Sequence, residues 1–188
     1  MIQLLLSKGA SVDATSPSGA TSLCMAGFHG HAQTVEILLA AGANPNPLSP
    51  SGARSCQIPL ILAAHHNHHI VVTQLLSAGA FINIIDDKHR TPLFAATVND
   101  HLETMAKLLA AGADPNIGCF GVTPLHLAAD SGNKPAITLL LNAGADKTPQ
   151  TTDGMTPLMI AQAAGQDEIS SLLEKLKTEM PLNQLEAR

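Results

Sequence analysis

Four histidines crowd into one pentapeptide, His65, His66, His68 and His69 around Asn67. Imidazole is a common metal ligand and the side chain that changes charge near neutral pH. Rings at helical spacing on one face could hold a divalent cation. Asn67 argues against that, because asparagine tolerates a positive φ and breaks a helix. His65 and His66 are then expected to end one helix and His68 to open the next, near the places of His31 and His101, so one shared face is not expected and no metal site is assigned. The thiols are Cys24, Cys56 and Cys119, an odd set with no C-x-x-C pair. Each reads as a packed or loop residue, and the set fits a reducing, intracellular compartment. No G-x-S-x-G, G-x-x-x-x-G-K or H-E-x-x-H occurs, so nothing supplies a nucleophile elbow, a phosphate cradle or a zinc-protease pair. No catalytic residue and no cofactor is assigned, and the chain reads as a non-enzyme.

The elements that must position these side chains are clearest in Val122 to Ala145. Thr123 can cap a helix that begins at Pro124, where proline costs no hydrogen bond. Leu125, Leu127, Ala128 and Ala129 give that helix an apolar side, and Gly132 offers the left-handed conformation that ends it. Pro135 then fits the first turn of a second helix striped by Ile137, Leu139, Leu140 and Leu141, which Gly144 stops. Helices this short fall below the roughly 12 to 15 residues that an isolated helix needs. Their apolar faces must be covered by another copy of the unit.

Copies are present. Ser22 to Gly42, Pro59 to Gly79, Pro92 to Gly112 and Pro124 to Gly144 each span twenty residues from start to stop. The spacers after Gly9, Gly42, Gly79, Gly112 and Gly144 instead run thirteen, seventeen, thirteen, twelve and thirteen residues. Length changes therefore collect in loops. The residue between the two helices is Gly30, Asn67, Asp100, Gly132 or Gly165, all types that accept a positive φ. The second unit departs most: Arg54, Ser55, Cys56 and Gln57 are inserted, and Ile58 stands where the others carry a capping threonine. The lost cap should cost about 1 kcal/mol, against roughly 0.2 kcal/mol for the longer loop. His89, where most copies have glycine, is expected to strain its hairpin.

A period near 33 residues, with TPLHLAA at Thr123 to Ala129, GHAQTVEILLAAGANPN at Gly30 to Asn46 and GADPN at Gly112 to Asn116, resembles the ankyrin repeat. The resemblance covers residues 1 to about 178 and implies an all-α solenoid of stacked helix-turn-helix units with β-hairpin loops. Read onto the chain, it divides into a partial repeat at 1–18, repeats at 19–51, 52–88 with the insertion, 89–120 and 121–153, a capping repeat at 154–178 and a tail at 179–188. It also implies a protein partner held by a concave face made from the ends of the first helices and the hairpins. On that face it places Phe28, His29, His65, His66, Val98, Asn99, Asp130 and Ser131, with Lys88, Arg90, Phe120 and Val122 on hairpins and Arg54 and Gln57 in the insertion. Phe28 and Phe120 are half of the four phenylalanines and are the expected anchors. The nearby histidines would make partner binding respond to pH near 6.

The two ends differ. Leu6, Leu39, Leu76, Leu109 and Leu141 share one place in the second helix, and Glu174 takes it in the last copy. With Ser170, Ser171, Lys175 and Lys177 beside it, the final helix has the polar side of a terminal unit. MIQLLLSKGA enters the pattern inside a second helix, so the chain is expected to be a piece of a protein with further repeats upstream. Charged residues are only 13% of the chain and the net charge is −5, with ten Lys and Arg dispersed. No basic footprint for nucleic acid or an anionic membrane follows, and no apolar run reaches the length of a span. The leading expectation is a cytoplasmic protein-interaction module, monomeric or part of a longer chain. The alternatives are a substrate-recruiting region of a larger enzyme or signalling protein, and a histidine-based metal-binding or pH-sensing role.

Overall fold

The computed structural model describes residues 2–47 and 58–175, with Lys175 described in its backbone alone. The insertion at Arg54 to Gln57 and the 179–188 tail lie outside the described residues. Within them the chain forms helix pairs: α1 (Ile2–Ser7) alone, then α2 (Ser22–His29) with α3 (Ala32–Ala40), α4 (Pro59–His65) with α5 (His69–Ser77), α6 (Pro92–Val98) with α7 (Leu102–Ala110), α8 (Pro124–Asp130) with α9 (Lys134–Asn142), and α10 (Pro157–Ala163) with α11 (Asp167–Lys175). First helices α2, α4, α6, α8 and α10 stack side by side in one row, and second helices α3, α5, α7 and α9 in another, with α1 against α3.

The starts and stops follow the sequence. Thr21, Thr91 and Thr156 accept the backbone N–H three residues on, filling one of the orphan donors of a helix start. Gly30, Asn67, Asp100, Gly132 and Gly165 all sit at positive φ, between 54° and 71°. The five turns thus share one backbone shape whatever the residue. Leu23, Leu38, Leu60, Leu75, Leu93, Leu108, Leu125 and Leu140 are all buried in one apolar seam between the rows, which continues from the first repeat to Leu173.

Ile58 caps nothing with its side chain. It is buried instead, with Ile61 and Ala95, in a small second cluster against Ile84. The unit that lacks a cap has replaced a hydrogen bond with apolar burial.

Two polar ladders also tie the copies together. Asp13 accepts from the amide of Asn44; Asn46 accepts from the amide of Phe81 and donates to the carbonyl of Gly79. Asn83 accepts from the amide of Asp114, and Asn116 accepts from the amide of Asp146 while donating to the carbonyl of Gly144. Among the described residues, the equivalent residue of the next copy, Thr148, bonds only within its own turn, to Asp146. The second ladder runs through the residue after three of the left-handed turns. His68 Nε2 donates to the carbonyl of Phe28 and His101 Nε2 to that of His65, each at 3.0 Å, while Asn133 donates to the carboxylate of Asp100 at 2.7 Å.

The last described helix has Ser171 and Glu174 exposed, as a terminal unit requires. Ser170 departs from expectation: it is buried and donates to the carbonyl of Gln166. No described helix is long and apolar enough to cross a membrane.

Candidate functional site

At four junctions among the described residues the chain turns back in a short hairpin finger. Three fingers have five residues, Ser16 to Ala20, Asp86 to Arg90 and Thr151 to Met155, each closed by a bond from the first amide to the last carbonyl. The fourth residue of each is left-handed: Gly19 at φ 81°, His89 at 61° and Gly154 at 76°. The spacer that is one residue short makes a tighter finger, in which Cys119 and Val122 exchange amide–carbonyl bonds around Phe120 and Gly121. A two-residue loop of that kind puts both central residues in the left-handed region. Gly121 (φ 82°) suits it; Phe120 (φ 49°) does not.

His89 and Phe120 are therefore two non-glycine residues held left-handed on adjacent fingertips, and their rings pack together at a centroid distance of 5.5 Å. Phe120 remains 72% exposed. Beneath them Asp86 organises its finger. Its buried carboxylate accepts from the amides of Lys88 and Arg90 and from the Arg90 guanidinium, whose Nη2 lies 2.7 Å away. The Cys119 thiol reaches the carbonyl of Lys88 at 3.0 Å and links the two fingers.

The first-helix ends carry the second cluster. Phe28, 38% exposed, meets His66 edge-on at 4.3 Å and His29 at 4.9 Å. His66 lies 4.9 Å from His65 and, with nearly parallel planes, 6.2 Å from His68. His29 stacks with His31 at 5.6 Å. Helix ends fall where the spacing put them, yet His65, His66 and His68 do come together, because the left-handed Asn67 folds the next helix start back over the last turn. Among the described residues no three of these rings converge on a metal-sized point. Asn99 donates to His65 Nδ1 at 2.9 Å, so that nitrogen carries no proton, and the His65 Nε2–H is the remaining donor. Burial, then the neighbouring Arg90 and His101 charges, hold His65 below the ordinary imidazole range; burial and the surrounding histidines do the same to His66.

The expected contact residues thus divide. Phe28, His29, Val98, Asn99, Phe120, Asp130, Ser131 and Lys88 are exposed; His65, His66 and Val122 are half-buried. Arg90 is committed to Asp86 and serves the finger from within. Arg54 and Gln57 lie outside the described residues. Asp86 escaped the sequence reading, although an acid four residues before an arginine at a finger was a visible signal. The two described thiols are pushed up in pKa, Cys24 chiefly by burial and Cys119 by burial and then Asp86. That is the wrong direction for a nucleophile.

This geometry has known counterparts. The family model for ankyrin repeats in three copies matches residues 48–119 and 115–183, and that for a single ankyrin repeat matches 18–49. The ankyrin repeat and KH domain-containing protein mask-1 of Caenorhabditis elegans is 31% identical over an alignment covering 97% of this chain and 8% of that protein. The inactive serine/threonine-protein kinase TEX14 of Mus musculus is 31% identical over 59% of this chain and 8% of its own length. The B-cell lymphoma 3 protein homolog of Mus musculus is 30% identical over 87% of this chain and 37% of its own. The chain spans less than a tenth of the length of the first two. Helix pairs of fixed length, left-handed turns, fingers at the described junctions and matches running from residue 18 to 183 lead to one conclusion: the chain belongs to the ankyrin repeat family, whose repeats are protein–protein interaction modules.

Proposed function

We propose that this chain is a recognition module whose protein partner seats on the concave side, against the finger rings of His89 and Phe120 and the Phe28–His66 pair below. The observation that carries the reading is Phe120: a bulky aromatic held at φ 49° and left 72% exposed. A left-handed non-glycine residue costs about 1–2 kcal/mol, and the partial contact with His89 is a small return. Strain of this sort persists where something other than stability uses the side chain, and exposed aromatics are the usual anchors of interfaces. Binding, rather than catalysis, is what such a surface offers.

The test is a pair of properties measured on one variant. Phe120→Asn keeps a residue suited to the left-handed region but removes the ring. The urea midpoint is expected to stay level or rise, while capture of partners from a cell extract by the immobilised chain drops at least fivefold. Unchanged capture by a folded Phe120→Asn and an equally folded Phe28→Ala would end the proposal. A second reading, that the module recruits substrates for a larger protein, is favoured by the small share of TEX14 and mask-1 that the chain spans. It keeps the same surface and differs only in what is attached to it.

A further inference from the structure

The second-helix row carries a feature that the fingers do not explain. An open groove of about 700 Å³ runs between α3, α5 and α7, with α5 as its floor. Ile70, on that floor, is 57% exposed. The same place in the other second helices holds Gln33, Glu103, Pro135 and Glu168. One turn on, Gln74 occupies the place that is Ile37, Lys107, Leu139 or Leu172 elsewhere. In α5, then, an apolar residue faces out where polar ones are usual, and an amide sits where mostly aliphatic ones are. The Gln74 Oε1 is buried and has no hydrogen-bond partner among the described residues, a state rare enough in native proteins to need a reason.

The walls differ in charge. On the α7 side Glu103 lies 3.5 Å from His69, and Lys107 stands one turn along. On the α3 side Glu36 lines the groove and forms no ion pair among the described residues. We propose that this groove is a second docking surface, built for a peptide segment that carries a lysine or arginine beside a bulky apolar residue. The apolar side chain covers Ile70 and Leu39, the cation meets Glu36, and a donor N–H from the segment supplies what the Gln74 oxygen lacks. The groove is open along its length, which suits a chain segment, and its carboxylates disfavour an anionic lipid surface.

The whole chain is used for the test. A phage-displayed library of random twelve-residue peptides is selected on the wild type and counter-selected on Ile70→Glu, a substitution that glutamates 103 and 168 show to be at home in this fold. Recovered peptides are synthesised with a fluorescent label and titrated by anisotropy. The expected result is a set enriched in Lys or Arg next to Leu, Ile or Phe. These peptides should lose at least tenfold in affinity on Ile70→Glu and at least threefold on Glu36→Gln, and bind Phe120→Asn unchanged. No Ile70-dependent peptides, or dependent ones lacking a basic residue, would overturn the proposal. So would dependence on Phe120, which would move the site to the fingers, or a concentration-dependent dimer abolished by Ile70→Glu, which would make the occupant a second copy.

Discussion

Removing the side chain of Asn116 tests whether polar ladders couple the repeats. Its Oδ1 accepts from the amide of Asp146 at 2.7 Å and its Nδ2 donates to the carbonyl of Gly144 at 3.3 Å, both in the following unit. Neither bond is buried, so water can replace each partner, and the net worth of such bonds sits near the low end of about 0.5–1.5 kcal/mol apiece. Asn116→Ala should therefore cost about 1 kcal/mol in urea unfolding, with no cavity contribution. Asn116→Asp keeps the acceptor and loses the donor, as Asp13 already does with its two contacts to the Asn44 amide. It should cost about half as much. Because each unit touches only its neighbours, the loss must be local. Amide hydrogen exchange should speed up in α9, α10 and the 144–148 turn while α4 and α5 stay protected. Thr148→Ala, at the equivalent place but bonded among the described residues only to Asp146 of its own turn, should speed no exchange in α10 or α11. Equal acceleration in every repeat, or a Thr148→Ala loss that spreads as far as that of Asn116→Ala, would refute the coupling.

Stability should fall with pH through the imidazole range. His126 Nδ1 accepts the amide of Thr123 at 3.0 Å and its Nε2 donates to the carbonyl of Met155 at 3.1 Å, and burial holds its pKa below the ordinary 6.5. The unfolded imidazole then binds its proton first on acidification, so stability is present above pH 6.5 and is lost below it, until the folded pKa is passed. His65 and His66 add in the same direction. Urea midpoints between pH 7.5 and 5 should show the drop, and His126→Gln should flatten it; a midpoint that rises on acidification contradicts the assignment. For Ile58→Thr, a recovered cap of about 1 kcal/mol competes with lost burial and a small cavity of about 1.5–2 kcal/mol. The variant should be less stable than wild type in thermal unfolding, and a gain in melting temperature would show that the cap wins. Asp86→Ala strands the Lys88 and Arg90 amides and frees the guanidinium, at an expected cost of about 2–4 kcal/mol, read from urea unfolding; a loss under 1 kcal/mol would mean that the finger holds without it.

The repeat skeleton was legible because its chemistry recurs. Thr91 before Pro92, Thr123 before Pro124 and Thr156 before Pro157 mark starts through a cap that only a few side chains supply. The turn residues mark a backbone angle that few types accept, and even Asn67 and Asp100 obeyed it, at φ 61° and 54°. The ladders were less visible, since Asn46, Asn83 and Asn116 bond to the unit that follows, some thirty residues on. Spacing gives such residues a place without giving them a partner. Ile58 was legible in part, for a related reason. A missing cap can be read from the chain, but the neighbours that bury its replacement, Ile61 and Ala95, belong to two different repeats.

The histidines show where local reasoning stops. The break at Asn67 was correctly placed, and from it followed the expectation that the rings share no single face, which left their edge-on and stacked contacts unread. A left-handed residue reverses the chain within one turn, however, so it ends one helix and stacks the next start upon it. His66 and His68 lie 6.2 Å apart for that reason, and His68 reaches back to the carbonyl of Phe28 in the preceding repeat. The same geometry bears on function. A ring committed to a backbone carbonyl, as in His68 and His101, keeps that bond whether or not its other nitrogen gains a proton. His65, whose Nδ1 accepts from Asn99, must surrender that bond to be protonated. If partner binding responds to pH, His65→Gln should remove more of the response than His68→Gln, measured as affinity at pH 7.5 against pH 5.5. The reverse order would place the sensing in the ladder that joins the repeats.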